Sequence, residues 1–324
     1  MLERVDGSPS LEQLVVPKFP SVVLVDLTNV CNLSCVHCAQ PLMRKSEGYQ
    51  ARMMSLDVFK KIADEMAQHP GSLLRIIGDG EPLIVPELSD MIEYAKTQGV
   101  KGIGITTAGF HLNEAKSRRF LEAGLDFIDF SLDAFSEETY RKIRVGSNYK
   151  RVIGNIMRFL ELRAEIQGPD YMGAKTKVLV NMVDQPTAHD EIPAFRQYWE
   201  PLVDRVFVRP LHSVVGLVHA DNPTLEAAMK RWPCRYFWER LEISPNGRVA
   251  HCSQAWGRES AYVGNVKTQS LFEIWHSPIM NILREHHLAN SFPPDSICAG
   301  CKDWKTISWD PSGTYAAHMA KLLG

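Results

Sequence analysis

From about residue 20 onward the chain alternates short apolar runs with longer amphipathic segments. The runs SVVLVDL (21–27), LLRII (73–77), KGIGIT (101–106), DFIDFSL (126–132), KTKVLVNMV (175–183) and RVFVR (205–209) predict strands. They lack strict alternation, as expected of strands covered on both faces. Between them SLDVFKKIADEMAQ, VPELSDMIEYAKTQG, NEAKSRRFLEAG and NYKRVIGNIMRFLELRAEI carry a helical pattern, and Gly99 and Gly124 suit the C-caps of the second and third. Six strand–helix units predict an α/β fold, a parallel barrel or open sheet with right-handed crossovers.

After about residue 210 the rhythm changes. LEISPNGRVAHC predicts a β-hairpin around Asn246-Gly247, the dipeptide favoured where both turn residues take positive φ. SLFEIWHSPIMNILREHHLA predicts helix, with Pro278 at a start or a kink, and FPPDSICAGCKDW a loop. A domain boundary is expected near 205–212. The sections are an N-terminal extension (1–20), the α/β unit (21–209), a small unit (210–310) and a C-terminal tail (311–324).

Composition narrows the function classes. A chain of 324 residues, 45% of them apolar, suffices for one large domain and a smaller one. A net charge of −2 suggests neither a nucleic-acid partner nor attraction to an anionic membrane. The N-terminus has no signal-peptide run, and no stretch of 18 uncharged apolar residues occurs. The expectation is a cytoplasmic protein with a small-molecule partner, no nucleic acid and no membrane.

The seven cysteines change the picture most. An odd, clustered set in a reducing compartment points to metal or cluster ligands rather than disulfides. Cys31, Cys35 and Cys38, in CNLSCVHC, directly follow the first strand. Three thiolates on a four-iron cube would leave one iron open to a cofactor or substrate; the lesser reading of the spacing is a zinc site completed by His37 or a distant residue. Cys234, Cys252, Cys298 and Cys301 form a second, four-thiol set, suited to a fully ligated cluster or a structural zinc.

CxxxCxxC after the first strand of an α/β barrel resembles the cluster motif of the radical S-adenosylmethionine (SAM) superfamily. The resemblance implies that Cys31, Cys35 and Cys38 hold a four-iron cluster whose open iron binds the methionine end of SAM, with His37 near the adenine. GDGEP resembles the family's Gly-Gly-Glu-Pro segment, implying cofactor contacts from Gly78, Asp79, Gly80 and Glu81, with Glu81 on the ammonium group; Asp79 stands where the family has the first glycine. Thr107 ends the third strand where the family often has Thr-Asn-Gly, whose Asn is missing here. Ser131 and Asp133 end the fourth strand, expected near the ribose. Arg144 matches a position that pairs with the cofactor carboxylate, and Asn181 and Val183 end the fifth strand, near the adenine. In a parallel barrel such strand ends form the functional face.

Beside this first half, the four-thiol set with GRVAHC, YVGNV and LFEIWHS resembles the twitch domain, a shortened SPASM domain carrying one auxiliary four-iron cluster. The implied fold is a partial (β/α)6 TIM barrel with a small C-terminal twitch (SPASM-like) α+β domain. The implied cofactors are S-adenosyl-L-methionine and two [4Fe-4S] clusters, with flavodoxin or ferredoxin as reductant. The thiol spacing resembles the aminocyclitol dehydrogenase of butirosin biosynthesis and its aminoglycoside-modifying relatives. This implies an oxidoreductase in which a deoxyadenosyl radical abstracts hydrogen from a carbinol carbon of a sugar, aminocyclitol or aminoglycoside, and the auxiliary cluster accepts the second electron to give a ketone. Arg209 and His212, just past the sixth strand, are the candidate groups at the hydroxyl. The alternatives are epimerisation of such a substrate and modification of a peptide. Against the latter, only about twenty residues precede the first strand.

Overall fold

The structure is a computed structural model that describes residues 9–10, 12–168, 175–218, 231–254, 258–310 and 315–324. The six apolar runs form β1 (Val22–Val25), β2 (Leu73–Ile76), β3 (Ile103–Thr107), β4 (Phe127–Ser131), β5 (Lys177–Asp184) and β6 (Arg205–Pro210). Each pairs in parallel with the next. The first four are almost wholly buried, as the missing alternation implied, and β6 is exposed at its edge.

Ten α-helices occur among the described residues: α1 (Gln40–Met43), α2 (Leu56–Met66), α3 (Leu88–Thr97), α4 (Glu114–Glu122), α5 (Glu137–Ile143), α6 (Tyr149–Gln167), α7 (Ile192–Trp199), α8 (Leu271–Trp275), α9 (Pro278–Ala289) and α10 (Tyr315–Leu323). Helix α2 shows why these segments fold as they do. Ser55 caps its N-terminus by accepting from the Val58 N–H, and Phe59, Ile62, Ala63 and Met66, at helical spacing, are buried. Gly99 and Gly124 follow α3 and α4 with φ of 91° and 79°, the left-handed geometry a helix terminus needs.

The sheet curls. Neighbouring strands stand about 4.8 Å apart, so in a flat sheet β2 and β6 would be separated by roughly 19 Å. Yet one ring, Tyr315 of α10, lies 4.0 Å from the Arg75 guanidinium on β2, 6.3 Å from Phe127 on β4 and 5.6 Å from Phe207 on β6. Helix α10 therefore sits inside a partial barrel. Its Met319 is fully buried in a cluster with Val22, Leu24, Leu73, Phe127 and Leu179. Helices α2 to α9 contribute to the larger apolar core.

Two findings depart from the sequence reading, and a third decides between its alternatives. The sheet does not stop at the expected domain boundary: β7 (Arg240–Ile243) pairs in parallel with β1, and β8 (Arg248–Ala250) and β9 (Tyr262–Asn265) extend it antiparallel, giving the order β6-β5-β4-β3-β2-β1-β7-β8-β9. The β7–β8 hairpin forms, but only Gly247, not Asn246, has positive φ (85°). Pro245 locks a negative φ at the first turn position, and Gly247 donates to the Ser244 carbonyl, as in a three-residue loop whose glycine closes a bulge. Finally, the run 270–289 is two helices. Ser277 caps α9 and Pro278 takes its first position, where the missing N–H costs nothing.

Candidate functional site

The C-terminal ends of the parallel strands open onto a cavity of about 300 Å3. Cys31, Cys35 and Cys38 line it from the loop after β1. That loop is pinned from outside by backbone bonds from Ser34 to Val145 (2.8 Å) and from Val36 to Ile143 (3.1 Å). Each sulfur meets one N–H: Leu33 on Cys31 (3.5 Å), Gln40 on Cys38 (3.4 Å) and the Arg144 guanidinium on Cys35 (3.6 Å). Burial pushes the Cys31 thiol up to about 11 and Cys38 to about 12. The protein therefore does not make these thiols anionic unaided; a cationic cluster core would supply the missing charge, and the N–H donors suit its sulfur ligands. The trio fits a cluster bound at the cavity.

The segment after β2 is shaped for close approach. A Cβ on Gly80 would fall 2.1 Å from the Thr28 carbonyl oxygen, and one on Gly78 would meet Asp26 at 2.4 Å, so neither position admits a side chain. Both glycines, with Asp79 and Glu81, line the cavity. Burial raises Asp79 to about 7. It lies beside Asp26 and Glu242, which burial and their mutual repulsion hold well above the carboxylate range.

Glu81 is already engaged by the protein. Its carboxylate accepts the Leu83 N–H (3.0 Å), the Thr107 hydroxyl (2.5 Å) and the Ala108 N–H (2.9 Å), tying the end of β2 to that of β3. One acceptor site remains on Oε2 for a further donor. Thr107, which also accepts from Gly109, thus joins this tie while lining the cavity.

Asp133 is placed differently from expectation. It does not line the cavity but lies fully buried beneath it, at φ 62°, where a non-glycine residue is rare. One oxygen accepts the Val183 N–H (2.8 Å); the other pairs with Arg144 at 2.5 Å and His37 at 3.3 Å. Burial works to raise this carboxyl, but Arg144 and His37 outweigh it and hold it below its ordinary value. Arg144 is accordingly no solvated helix charge: it is nine-tenths buried, linking Asp133 to the Cys35 sulfur. Both His37 and Arg144 face the cavity.

The far wall carries Ser131, Asn181, Val183, Arg209 and His212, all lining the cavity as the strand ends implied. Beneath them lies a buried network that sequence reasoning missed. Asp129 accepts from Arg75 (2.9 Å), Arg209 (2.9 Å) and Asn181 (2.7 Å), while Arg75 also reaches the Thr106 hydroxyl. A signal for it was present, since Arg75 and Asp129 are charges inside apolar strands, and buried charges are paired. Leu211, Val214 and Gln254 also line the cavity and had no such signal. Val214 and Val215 are both left-handed (φ 52° and 53°), a cost of roughly 1–2 kcal/mol per residue for L-amino acids.

The second thiol set gathers outside this cavity. Cys234 and Cys298 are buried, Cys252 and Cys301 half-buried. Burial drives Cys234 up to about 12 and Cys252 well above its ordinary value, and in each case neighbouring thiols of the set add to the shift. The structure thus brings together four residues spread from 234 to 301. Around them pack Phe237, His251 and His287, with the His287 Nδ1 accepting the Cys234 N–H at 3.3 Å.

Comparisons with known proteins match both halves of the chain. Residues 25–166 match the radical SAM superfamily, and residues 234–302 match SPASM, an iron–sulfur cluster-binding domain. A probable GTP 3′,8-cyclase of Methanococcus maripaludis strain C5 is 30% identical over 174 residues, 54% of this chain and 53% of that protein. A GTP 3′,8-cyclase of Limosilactobacillus fermentum is 34% identical over 139 residues, 41% of this chain and 40% of that protein. The chain matches about half the length of these curated relatives. Among solved structures, Streptococcus suis SuiB bound to precursor peptide SuiA superposes with a TM-score of 0.66 at 17% identity, over 94% of this chain and 74% of SuiB. BtrN in complex with AdoMet and 2-DOIA gives 0.56 at 15% identity, over 83% and 87%. These structures share the fold.

Proposed function

We propose that this chain, which joins a radical SAM domain to an iron–sulfur cluster-binding SPASM domain, oxidises a secondary alcohol of a sugar, aminocyclitol or aminoglycoside to a ketone. Its cofactors are S-adenosylmethionine and iron–sulfur clusters; we assign one four-iron cluster to each thiol set, with flavodoxin or ferredoxin as the cytoplasmic reductant. When bound, these groups supply a radical that takes the carbinol hydrogen atom and a second cluster that takes the remaining electron. The observation that carries the reading is the inventory of hydrogen donors. Of the seven cysteines three line the cavity, where we assign them to the first cluster, and four gather outside it, and no tyrosine is among the described cavity residues. An epimerase must return a hydrogen atom to the opposite face, and on this assignment no thiol or phenol among the described residues stands ready to do so.

The chain's own residues would position the substrate and move one proton. Arg209 is held at the wall by Asp129, so its guanidinium is oriented before a substrate hydroxyl arrives. His212 lies on the same wall with Nδ1 3.3 Å from the Thr306 hydroxyl, leaving Nε2 as the atom to accept the hydroxyl proton. Burial lowers its pKa, which keeps it in the neutral, accepting form.

A second reading is cyclisation of a purine nucleotide, favoured by the 30% identity to the Methanococcus maripaludis relative. The test is to incubate anaerobically reconstituted protein, in deuterium oxide with dithionite and SAM, with a panel of aminocyclitols and aminoglycosides and, separately, with GTP. The expected product is a polyol lighter by two hydrogens. An isomer carrying deuterium on carbon identifies an epimerase, and conversion of GTP alone identifies the second reading; either overturns the proposal.

A further inference from the structure

The cavity wall after β6 is gripped by the C-terminal unit. Val214, Val215 and Gly216 have φ of 52°, 53° and 82°. Three consecutive left-handed residues, two of them β-branched, form a turn that persists only where its surroundings over-determine it. The surroundings that do so are specific. Asp303, two residues past Cys301, accepts the Ser213 N–H on Oδ1 at 2.7 Å and the Val215 N–H on Oδ2 at 3.0 Å. Thr306, on the same short 3-10 turn (Asp303–Thr306), places its hydroxyl 3.3 Å from His212 Nδ1. Arg258 donates to the Val215 carbonyl at 3.3 Å. Asp303 is buried, and Trp304 beside it packs edge-on against Trp232 at 4.7 Å, so the carboxylate stands on a firm base. The other end of the grip is the cavity itself, which His212 and Val214 line.

We propose that Asp303 is a positioning residue through which the second thiol set shapes the cavity of the first. The loop carrying Cys298 and Cys301 orders around its cluster and fixes the Asp303 carboxylate. The carboxylate holds the left-handed turn, and the turn sets His212 and Val214 against the substrate space. A chain lacking the C-terminal cluster would lack a formed substrate wall, so no substrate would be held where its second electron had no acceptor. The inference rests on the reading of Cys234, Cys252, Cys298 and Cys301 as one cluster site. It is independent of which alcohol, peptide or nucleotide is the substrate.

Amide hydrogen exchange by mass spectrometry on the anaerobically reconstituted full chain tests it. In Asp303→Ala, peptides covering 211–218 should exchange on the order of tenfold faster or more, while β1 to β5 peptides and total iron stay unchanged. The EPR change of the reduced first cluster on adding SAM should also persist, showing that the barrel site is intact. Asp303→Asn keeps one acceptor oxygen and should release one of the two amides, giving an intermediate rate. A Cys298→Ala, Cys301→Ala double variant should deprotect the same peptides. Wild-type protection of 211–218 in Asp303→Ala at full iron content overturns the clamp. If Asp303→Ala loses iron, unchanged exchange in Asp303→Asn at full iron overturns it instead. Protection that survives in the double variant overturns the coupling to the cluster. Wild-type protein holding iron for one cluster only defeats the underlying cluster reading, an outcome the iron analysis reports separately from exchange.

Discussion

The two thiol sets solve the same ligand problem in opposite ways. The first spans eight consecutive positions in one loop, opens onto a cavity, and lies beside the Arg144–Asp133 ion pair, which His37 joins. The second draws on four separated positions and is packed against the rings of Phe237, His251 and His287, with Arg231 donating to the Cys298 carbonyl. In the barrel, backbone bonds from Ser34 to Val145 and from Val36 to Ile143 hold the loop against the end of α5. In the C-terminal unit, short strands and loops converge on the thiols, so the cluster would be part of what holds the unit together. The difference teaches that one set is built for access and the other for cohesion.

Three results would break or sharpen this contrast. The largest effect is expected from thiol removal. Cys35→Ala should abolish SAM cleavage and remove about half the iron, with little change in Tm. Cys298→Ala with Cys301→Ala should also halve the iron but lower Tm measurably and spare part of the cleavage. Equal Tm losses in the two variants would erase the contrast.

Next comes Glu81→Ala, which leaves the Leu83 and Ala108 N–H groups and the Thr107 hydroxyl without their acceptor. Stability should fall by about 2 kcal/mol or more in denaturant titration, and SAM affinity should drop roughly ten- to hundredfold. Unchanged SAM affinity would make Glu81 purely a tie between strands.

The smallest effect is a difference in acid sensitivity. Burial lowers His251 to about 4 and His287 to about 3. Between the unfolded value of about 6.5 and those values, the unfolded chain binds protons that the folded chain does not. Stability of the C-terminal unit should therefore fall as pH drops from about 6.5 toward 4, by up to roughly 1.4 kcal/mol per unit for each histidine. Asp133, held below its ordinary value in the folded barrel, contributes above about 3.9 and is lost only as pH falls further. Local melting followed by hydrogen exchange at stepped pH should show the C-terminal unit loosening first; simultaneous loss would contradict the assignment.

Much of the barrel was legible because period, caps and strand-end position all pointed one way. The six strand runs and the segments from SLDVFKKIADEMAQ to NYKRVIGNIMRFLELRAEI landed on their elements, and the polar residues at the strand ends, Asp133 excepted, line one cavity. Helices α5 and α7 were not foreseen, being short and partly charged on their faces. Helix α10 was assigned to a tail, because nothing in YAAHMAKLL says that its apolar face fills a barrel rather than an outer groove. At the site, residue types revealed which side chains reach the cavity but not what else they bind. Glu81 and Asp133 carry structural ties that only the registration of neighbouring strands creates.

The parallel pairing of β1 with β7 bears on how the chain assembles. Val22 meets Arg240 across more than two hundred intervening residues, a contact of the kind that forms slowly because a long loop must close first. Until it forms, the strand leading into the first cluster loop presents a bare backbone edge, open to pairing with other chains. Maturation would thus have a vulnerable interval. The C-terminal unit closes that interval as an intramolecular cover for β1, before any electron has moved.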